Sequence, residues 1–402
     1  MANRNGGFIG TDGLDAPDPV TDVTNTKGSG SGEVSVGFTA PTDAGTSAIT
    51  GFVVQVSTDG TDYSAGSGTG TSSPIVVSSL TNGTAATAKV WAINSHGTSS
   101  PSDASDSFTP ASVLGIVAGG DDAFQGVDTI EYFSIPSTGN ATDWGNLVAA
   151  GEAFTGGGNS VRALFVGNSS NVCQFITYAS EGNATDFGDM DRGVGYAGGT
   201  ASASNTTRVV FVEHDFSNSH QFYGYLTIAS EGDSTDFGEQ IRAKNQLGGM
   251  ASSAGRGVFS GGRTSSQYFE EIEYITIAST GNGTDFGDLS SARAKLGSCS
   301  SATRGVIGGG FNSSSRRNEL EYVTMASTGN VTNFGDLTSS RQDVTAFSSS
   351  VRGCWAGGTA SNKVNTVDYI TIASTGDAQD FGDLSGVRQQ MGSTSNVHGG
   401  VQ

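Results

Sequence analysis

Short stretches of alternating apolar and polar residues dominate the first part of the chain. They occupy residues 34–38, 49–56, 75–77 and 88–94, and Gly, Pro, Asn or Ser residues separate them. An alternation with a period of two places every second side chain on one face of a strand. No stretch keeps the i, i+3, i+4, i+7 spacing of an amphipathic helix for more than a turn or two. The pattern predicts short strands packed as a β-sandwich between residues 15 and 110.

A single sequence unit recurs six times in the rest of the chain. Each copy has an apolar strand that carries an aromatic residue, a turn rich in Ser, Thr, Gly and Asn, and another aromatic residue 12 positions after the first. The constant internal spacing, set against a variable distance between copies, predicts a fixed supersecondary unit joined by adjustable loops. The aromatic pairs are Tyr132 and Trp144, Phe175 and Phe187, Tyr225 and Phe237, Tyr274 and Phe286, Tyr322 and Phe334, and Tyr369 and Phe381.

A second strand precedes the aromatic strand in each copy. It reads Arg-Gly followed by apolar residues and Gly-Gly in three copies, beginning at Arg256, Arg304 and Arg352. The glycine pair is expected to allow positive φ beside a crowded central channel. The paired aromatic residues are expected to wedge between neighbouring sheets. Five copies also carry an arginine after the second aromatic residue: Arg192, Arg242, Arg293, Arg341 and Arg388.

Two family resemblances follow from these residues. The segment 15–110 resembles a fibronectin type III domain through Phe38 before Ala40 and Pro41, the stretch 49–52, and the stretch 90–94 with Gly97. Ala86 stands where that family usually has the tyrosine of its E–F corner. The arginine, Gly-Gly, tyrosine and Trp/Phe order of residues 111–402 resembles the kelch repeat of β-propellers.

The predicted fold is therefore all-β: an N-terminal arm (1–14), a fibronectin type III-like sandwich (15–110) and a six-bladed kelch-like β-propeller (111–402). The end of the chain restarts the repeat at Arg388 without finishing it, while the first copy lacks its opening strand. A C-terminal strand is expected to complete the first blade and close the ring. An elongated fibre of stacked repeats is the alternative.

Composition narrows the classes of function. The net charge is −20, with 19 basic and 39 acidic residues, and no basic stripe suits nucleic acid. The sequence has no run of 18 apolar residues, so no membrane insertion is predicted. The N-terminus also lacks the apolar core of a signal peptide. The cysteines Cys173, Cys299 and Cys354 lie far apart and are predicted to be small buried residues in strands.

Candidate chemistry is sparse. Asp-Phe-Gly, as at Asp285, matches the magnesium-binding triplet of kinases, but it recurs with the repeat and is interpreted as a turn. His214 and His220 favour a polar loop over a divalent metal site, and the repeated Asp and Asn residues favour turns over calcium. We predict no catalytic, metal or cofactor-binding residues and no cofactor.

The variable loops between Gly-Gly and the aromatic strand are the candidate binding surface, because Ser, Asn, Tyr and Arg side chains make adaptable polar contacts. The candidate partner-binding residues are Asn168, Asn171, Asn218, His220, Arg263, Tyr268, Asn312, Arg316, Arg317, Asn362 and Lys363.

Residues 7–17, the type III module and the Thr-Gly-Asn-x-Thr-Asp-Phe-Gly-Asp-Leu repeats together resemble structural proteins of tailed bacteriophages of marine bacteria. The resemblance implies a non-enzymatic virion protein, assembled in the host cytoplasm and exposed on the particle in multiple copies. Residues 1–110 would contact other virion proteins, and the propeller would bind a host-surface glycan or protein. The first hypothesis is a tail fibre or tail-tip appendage for host attachment. The alternative is a capsid decoration or head fibre, and the third hypothesis is a glycan hydrolase.

Overall fold

The structure is a computed structural model that describes residues 15–28, 32–82, 84–122, 125–167, 171–191, 201–214, 221–251 and 255–400, with the backbone alone at 27, 214, 221 and 251. All regular structure in these ranges is β-strand, and no helix is present in them. The chain divides into two compact units, Met1–Val113 and Leu114–Gln402. The predicted arm, residues 1–14, lies outside the described residues.

The first unit consists of two antiparallel sheets in its described part. One sheet has the strand order β1-β2-β5 and the other β4-β3-β6-β7. Three of the four stretches predicted from alternation begin within one residue of a strand in the structure, and the fourth, 49–56, begins two residues before one. The strands are β1 (Thr21–Lys27), β2 (Val34–Thr39), β3 (Gly51–Ser57), β4 (Gly66–Gly70), β5 (Ile75–Val77), β6 (Thr87–Asn94) and β7 (Gly97–Thr98).

Both sheets of the first unit contribute to one apolar core. Val36 of β2 and Val77 of β5 lie in the same cluster as Val54 of β3 and Val90 of β6, and all four are fully buried. The alternating burial of β6 matches its apolar alternation, which is the pattern of a strand with one face inward.

A segment with regularly spaced serines follows the short strand β7 and continues the hydrogen bonding along β6. The hydroxyls of Ser99, Ser102 and Ser105 accept the amide hydrogens of alternate β6 residues at 2.9–3.0 Å, and their own amides donate to the same residues at 2.8–3.0 Å. The bonded serines are three residues apart, whereas their partners in β6 are two residues apart. This difference fits an extended conformation with three residues per turn in the serine segment. The serine-rich stretch therefore covers this edge of the sheet, which the strand pattern did not predict.

The second unit contains six four-stranded antiparallel sheets in its described residues. The strands are β8 (Leu114–Ala118), β9 (Val127–Ser134), β10 (Thr142–Gly151), β11 (Phe154–Gly158), β12 (Arg162–Gly167), β13 (Val172–Thr177), β14 (Thr185–Asp189), β15 (Ser202–Ser204), β16 (Arg208–His214), β17 (Gln221–Thr227), β18 (Thr235–Glu239), β19 (Gly248–Ala251), β20 (Arg256–Ser260), β21 (Glu271–Thr276), β22 (Thr284–Asp288), β23 (Gly297–Ser300), β24 (Arg304–Gly308), β25 (Glu319–Thr324), β26 (Thr332–Asp336), β27 (Thr345–Ser348), β28 (Arg352–Ala356), β29 (Thr366–Thr371), β30 (Gln379–Asp383) and β31 (Gly392–Ser395).

The last strand completes the first sheet. β31 pairs with β8 from Gly392 opposite Ala118 to Ser395 opposite Gly115, giving the order β10-β9-β8-β31. The first strands of the six sheets also touch in a closed circle, in the order β11, β15, β19, β23, β27, β31 and back to β11. The repeats therefore form a closed, propeller-like ring rather than an open stack, and the predicted C-terminal closure is present.

A second closure runs around the outside of the ring. In each copy the turn after the third strand reaches the fourth strand of the preceding sheet, where its glycine N–H donates to the carbonyl of the second aromatic residue at 2.7–3.0 Å. The Asn or Asp that follows accepts a backbone N–H of the same strand at 3.0–3.1 Å. Asn140 of the first copy binds Asp383 of the last. The Gly-Asn turns of the repeat thus cover the outer strand edges, which would otherwise invite association with other chains.

The paired aromatic residues of all six copies meet edge to face, with ring centroids 5.5–6.1 Å apart. Phe286 packs in one cluster with Ile307 and Val323 of the next sheet, so it lies between sheets. In five copies the arginine of the second strand stacks 4.3–4.8 Å from the first aromatic ring. It also donates to a carbonyl of the next sheet. Leu114 takes that position in the first copy.

Buried ion pairs fix the connection that enters each of four sheets. They join Lys244 to Glu273, Arg293 to Glu321, Arg341 to Asp368 and Arg388 to Glu131. Each cation lies seven residues after the second aromatic residue. Arg242, which the sequence pattern grouped with these arginines, is instead half-exposed, and the buried cation of its copy is Lys244. Arg192 lies outside the described residues.

The Gly-Gly pairs adopt the expected positive φ, for example 64° and 108° at Gly261 and Gly262. The atoms that leave no room for a side chain at Gly261 are the Arg293 carbonyl oxygen, 2.4 Å from an ideal Cβ, and Leu296. The glycine pair therefore makes room for the connection carrying the buried arginine. It does not lie among the residues that line the central channel, contrary to the expectation from sequence.

Candidate binding face of the second unit

The antiparallel order places the loops of each sheet at two ends of the ring. The first strand of a sheet starts at one end, so the connection into it and the loop between its second and third strands share that end. We call this the loop end. The turns after the first and third strands lie at the opposite end, which we call the turn end. The candidate partner-binding residues within the described ranges lie between the second and third strands of their sheets and so belong to the loop end: Asn171, Arg263, Tyr268, Asn312, Arg316, Arg317, Asn362 and Lys363.

The C-terminal segment after β31 crosses the channel at the turn end. His398 Nε2 lies 2.9 Å from the Gly158 carbonyl oxygen and 3.1 Å from Ser204 Oγ, at the ends of β11 and β15. The Gly399 N–H donates to the carbonyl of Ser300, at the end of β23. These contacts reach three different sheets, so the segment spans the ring and obstructs this end of the channel.

A polar cavity of about 110 Å³ occupies the centre of the ring. Its wall consists of the six first strands, which carry mainly Ser, Thr, Gly and Ala. Hydroxyls link neighbouring strands, as between Thr155 and Ser202 at 2.9 Å and from Ser348 to the Ser300 carbonyl at 2.8 Å. A cavity of this size and polarity has room for several water molecules or part of a small polar ligand.

A ring of strained residues surrounds the channel at the loop end. Five equivalent non-glycine residues, Ala153, Gln246, Lys295, Asp343 and Gln390, have φ between 55° and 64°. They are held by backbone hydrogen bonds between sheets: Lys295 N–H to Gln246 O at 2.8 Å, Asp343 N–H to Lys295 O at 3.0 Å, and Gln390 N–H to Asp343 O at 3.2 Å. Left-handed backbone at residues other than glycine costs energy and tends to occur at functional sites.

Four of these residues give the channel mouth its polar character. Lys295 Nζ lies 2.9 Å from Asp343 Oδ2, and Gln390 Nε2 lies 3.4 Å from Asp343 Oδ1. Gln342 Nε2 donates to Asp343 Oδ2 at 2.9 Å. Gln246 is 9% exposed, and its Oε1 has no hydrogen-bond partner among the described residues. The mouth thus combines a paired ammonium and carboxylate with an amide oxygen that can still accept a hydrogen bond.

Two neighbouring loops form an aromatic step at the loop end. Arg263 Nη1 donates to the Tyr268 hydroxyl at 3.1 Å, and its guanidinium lies 5.5 Å from the centre of that ring. Tyr268 also packs against Phe311 of the next sheet, with ring centroids 6.0 Å apart. Tyr268 and Phe311 are both half-buried, so each ring keeps some surface exposed at this end.

A charged cluster lies between the last and first copies. Lys363 forms an ion pair with Asp121, and Gln389 Nε2 donates to the same carboxylate at 3.1 Å. Partial burial raises the pKa of Glu152 above its usual value, with the carboxylates of Asp121 and Asp343 acting in the same direction and Lys363 against them. Lys363 was a candidate from sequence, and its contacts tie two loops together.

The remaining candidate residues have mixed roles. Asn312 Oδ1 accepts the amides of Ser314 and Ser315, which makes it a turn-forming residue. Arg317 pairs with Glu319, the first residue of β25. Arg316 and Asn362 are exposed, and Asn171 is half-buried with φ of 61°. Asn168, Asn218 and His220 lie outside the described residues, as does the side chain of His214.

Sequence reasoning missed the channel mouth. Gln246, Lys295, Asp343 and Gln390 each lie nine residues after the second aromatic residue of a copy. The following position is always apolar in these copies. A polar, variable position beside a constant apolar one was therefore visible in an alignment of the repeats, but nothing local indicated that it faces a channel.

The three cysteines are buried and unpaired, as predicted from sequence, and burial raises the pKa of each thiol. No group of three His, Cys, Asp or Glu side chains that could hold a metal ion occurs among the described residues. The part of the chain that the structure describes also has no helix suited to crossing a membrane. No known family model matches the chain, and no curated protein has a significantly similar sequence.

Proposed function

We propose that the chain is a non-enzymatic structural protein of a tailed bacteriophage particle, a tail fibre or tail-tip appendage that presents a binding face for host attachment. In this proposal the first unit is a fibronectin type III-like sandwich that attaches to other virion proteins. The second unit is a six-bladed kelch-like β-propeller whose loop end contacts a glycan or protein of the host surface.

The observation that carries the binding role is the difference between the two ends of the ring. The C-terminal segment obstructs the turn end through His398 and Gly399. The loop end has the variable loops, the aromatic step of Tyr268 and Phe311, and the polar channel mouth. Ligand-binding sites in proteins are concave and carry a few well-placed polar groups, and the loop end provides such a site.

Several features favour binding over catalysis. Four of the buried acids, Glu131, Glu273, Glu321 and Asp368, are each paired with a cation from the connection that enters their own sheet. The buried thiols have raised pKa values, which disfavours the reactive thiolate. These four buried pairs thus serve the architecture, and a hydrolase would need a free carboxylate pair at the loop end.

Immunogold electron microscopy of intact particles, with antibody against the purified full chain, tests the assignment. We expect label at the tail, and we expect the purified chain to slow adsorption of particles to host cells. Pre-immune antibody is the control. Label over the capsid would replace the attachment role with capsid decoration. Absence of label on intact and gently opened particles would contradict a virion role altogether.

A further inference from the structure

We propose that the channel mouth binds a neutral, polyhydroxylated ligand, a terminal sugar residue of a glycan, through Gln246 and Lys295. The inference deepens the proposed function, because it names a ligand class and a position on the same loop end. It rests on the geometry of the mouth and on two polar atoms there that have no hydrogen-bond partner among the described residues.

The two residues lie two positions before neighbouring strands of the channel wall. Gln246 precedes β19 and Lys295 precedes β23, and the Lys295 N–H donates to the Gln246 carbonyl at 2.8 Å. The two residues therefore lie on neighbouring sheets around the mouth, and both line the cavity. Gln246 offers an acceptor without a partner among the described residues, and Lys295 offers ammonium hydrogens beyond the one that Asp343 accepts.

A hydroxyl group suits a site that offers both a hydrogen-bond acceptor, Gln246 Oε1, and a donor, Lys295 Nζ. One hydroxyl can donate to Gln246 Oε1 and accept from Lys295 Nζ, which neither a carboxylate nor an ammonium can do. The Gln246 amide reaches the ligand by turning about its terminal torsion, which is soft. Ser298, in the strand that Lys295 precedes, has a buried hydroxyl that also lacks a hydrogen-bond partner in the described part of the chain, and it lines the cavity as well.

Charge at the mouth favours a neutral ligand. Asp343 is 6% exposed and already pairs with Lys295 at 2.9 Å, so the two charges cancel. A ligand with its own charge would have to break this pair or lose water without compensation, which is costly in a partly buried place. A neutral sugar hydroxyl adds to the existing network and leaves the pair intact.

The backbone strain also points to a binding role. Gln246 and Lys295 keep left-handed backbone with φ of 59° and 64°, where glycine would be accommodated without strain. Retaining long polar side chains at such positions costs stability, and the channel behind the mouth is obstructed at its far end. A ligand therefore enters from the loop end, where Gln246 and Lys295 lie around the mouth.

Saturation-transfer difference NMR on the purified full chain tests the proposal. The probes are neutral methyl glycosides of glucose, galactose and mannose, with N-acetylglucosamine, each titrated to saturation. Glucosamine and methyl glucuronide are the charged comparisons. We expect saturable binding of at least one neutral probe. Both charged probes should bind at least about tenfold more weakly than that neutral probe.

Two variants place the binding at the mouth. Gln246→Gly removes the amide and relieves the strained φ, so the protein still folds, and we expect affinity to fall about three- to tenfold, as for loss of one hydrogen bond. The matched control is Ala153→Gly, which makes the same backbone change at the equivalent position of another copy without removing a polar group. We expect its affinity to equal that of the unaltered chain.

Three results would overturn the inference: no saturable transfer to any neutral probe, equal binding by the Gln246→Gly and Ala153→Gly variants, or preference for a charged probe. Its failure is distinct from failure of the proposed function. Tail label without sugar binding contradicts only the sugar site, whereas sugar binding without label on particles contradicts only the virion role.

Discussion

At position 287 the side chain is limited to a hydrogen atom by the neighbouring sheet. Gly287 has φ of 147°, and an ideal Cβ on it would lie 2.4 Å from the Gly329 carbonyl oxygen. The glycines at 145, 188, 238, 335 and 382 meet the same obstacle from the turn of the next copy. The glycine of Thr-Asp-Phe-Gly is thus explained by a contact between sheets, which the repeat alone did not reveal.

We expect Gly287→Ala to lower the free energy of unfolding of the second unit by about 2–4 kcal/mol, because it adds both backbone strain and a clash with backbone atoms. Chemical denaturation followed by tryptophan fluorescence measures the change. The control is Gly281→Ala in the same sheet, where a Cβ meets no atom within 4 Å. Similar losses in the two variants would contradict the contact-based explanation.

His398 makes the turn end sensitive to acid. The Gly400 N–H donates to Nδ1 at 3.1 Å, and Nε2 lies 2.9 Å from the Gly158 carbonyl oxygen. These contacts suit the neutral ring with its proton on Nε2, and burial lowers the pKa of His398 to about 4. The unfolded chain, whose histidine keeps the ordinary value of 6.5, binds a proton first as the pH falls.

The contribution of His398 to stability is therefore complete above pH 6.5 and is lost between pH 6.5 and 4. We expect a loss of about 2 kcal/mol by pH 5 from this residue. Urea unfolding at pH 7.5 and pH 5 measures it, with His398→Gln as the reference because its side chain does not titrate. If the variant loses as much stability as the unaltered chain, the carboxylates and not His398 cause the acid sensitivity.

At the scale of the element, four of the six sheets depend on a buried ion pair with the connection that enters them. Arg293 Nη2 lies 2.6 Å from Glu321 Oε2, and both side chains are almost entirely buried. The same place is held by Lys244 and Glu273 one sheet earlier. In the second copy Gln174 replaces the acid and accepts the Val148 amide at 2.6 Å, and Gly151 stands where the other copies have the cation. This copy therefore lacks both the buried cation and the buried acid of those four sheets.

We expect Glu321→Ala to destabilise the second unit by about 3–5 kcal/mol, because it leaves the Arg293 guanidinium buried without its partner. Glu319→Ala, whose side chain is 29% exposed and 3.8 Å from the same arginine, is the matched control and should cost about 1 kcal/mol or less. Thermal unfolding by calorimetry compares the two. Equal effects would mean that burial of the pair does not determine its importance.

At the scale of the whole molecule, the last strand decides whether the second unit is a ring. β31 supplies the first strand of the first sheet, and it contacts both β27 and β11 on either side. Without it β8 would expose an unpaired edge, and the circle of first strands would be open. Closure therefore joins the first and last copies into one cooperative structure.

A chain ending at Met391 should lose the cooperative unfolding transition of the second unit while the first unit, with its own core, still unfolds as before. Calorimetry and limited proteolysis followed by mass spectrometry distinguish the two units. A chain ending at Gly400, which keeps β31 and His398, is the control. Retention of a cooperative transition by the shorter chain would show that the outer closure alone holds the ring.

The sequence by itself determined the local units: the alternating strands of the first unit, the six copies, the spacing of the aromatic pairs and the positive φ of Gly-Gly. These follow from periodicity and turn chemistry, which act over a few residues. Only the tertiary structure decided that the copies close, that Lys244 and not Arg242 is the buried cation, and that residues such as Lys295 surround a channel. Those features depend on which sheet lies beside which, and contacts between residues far apart in the chain settle that arrangement.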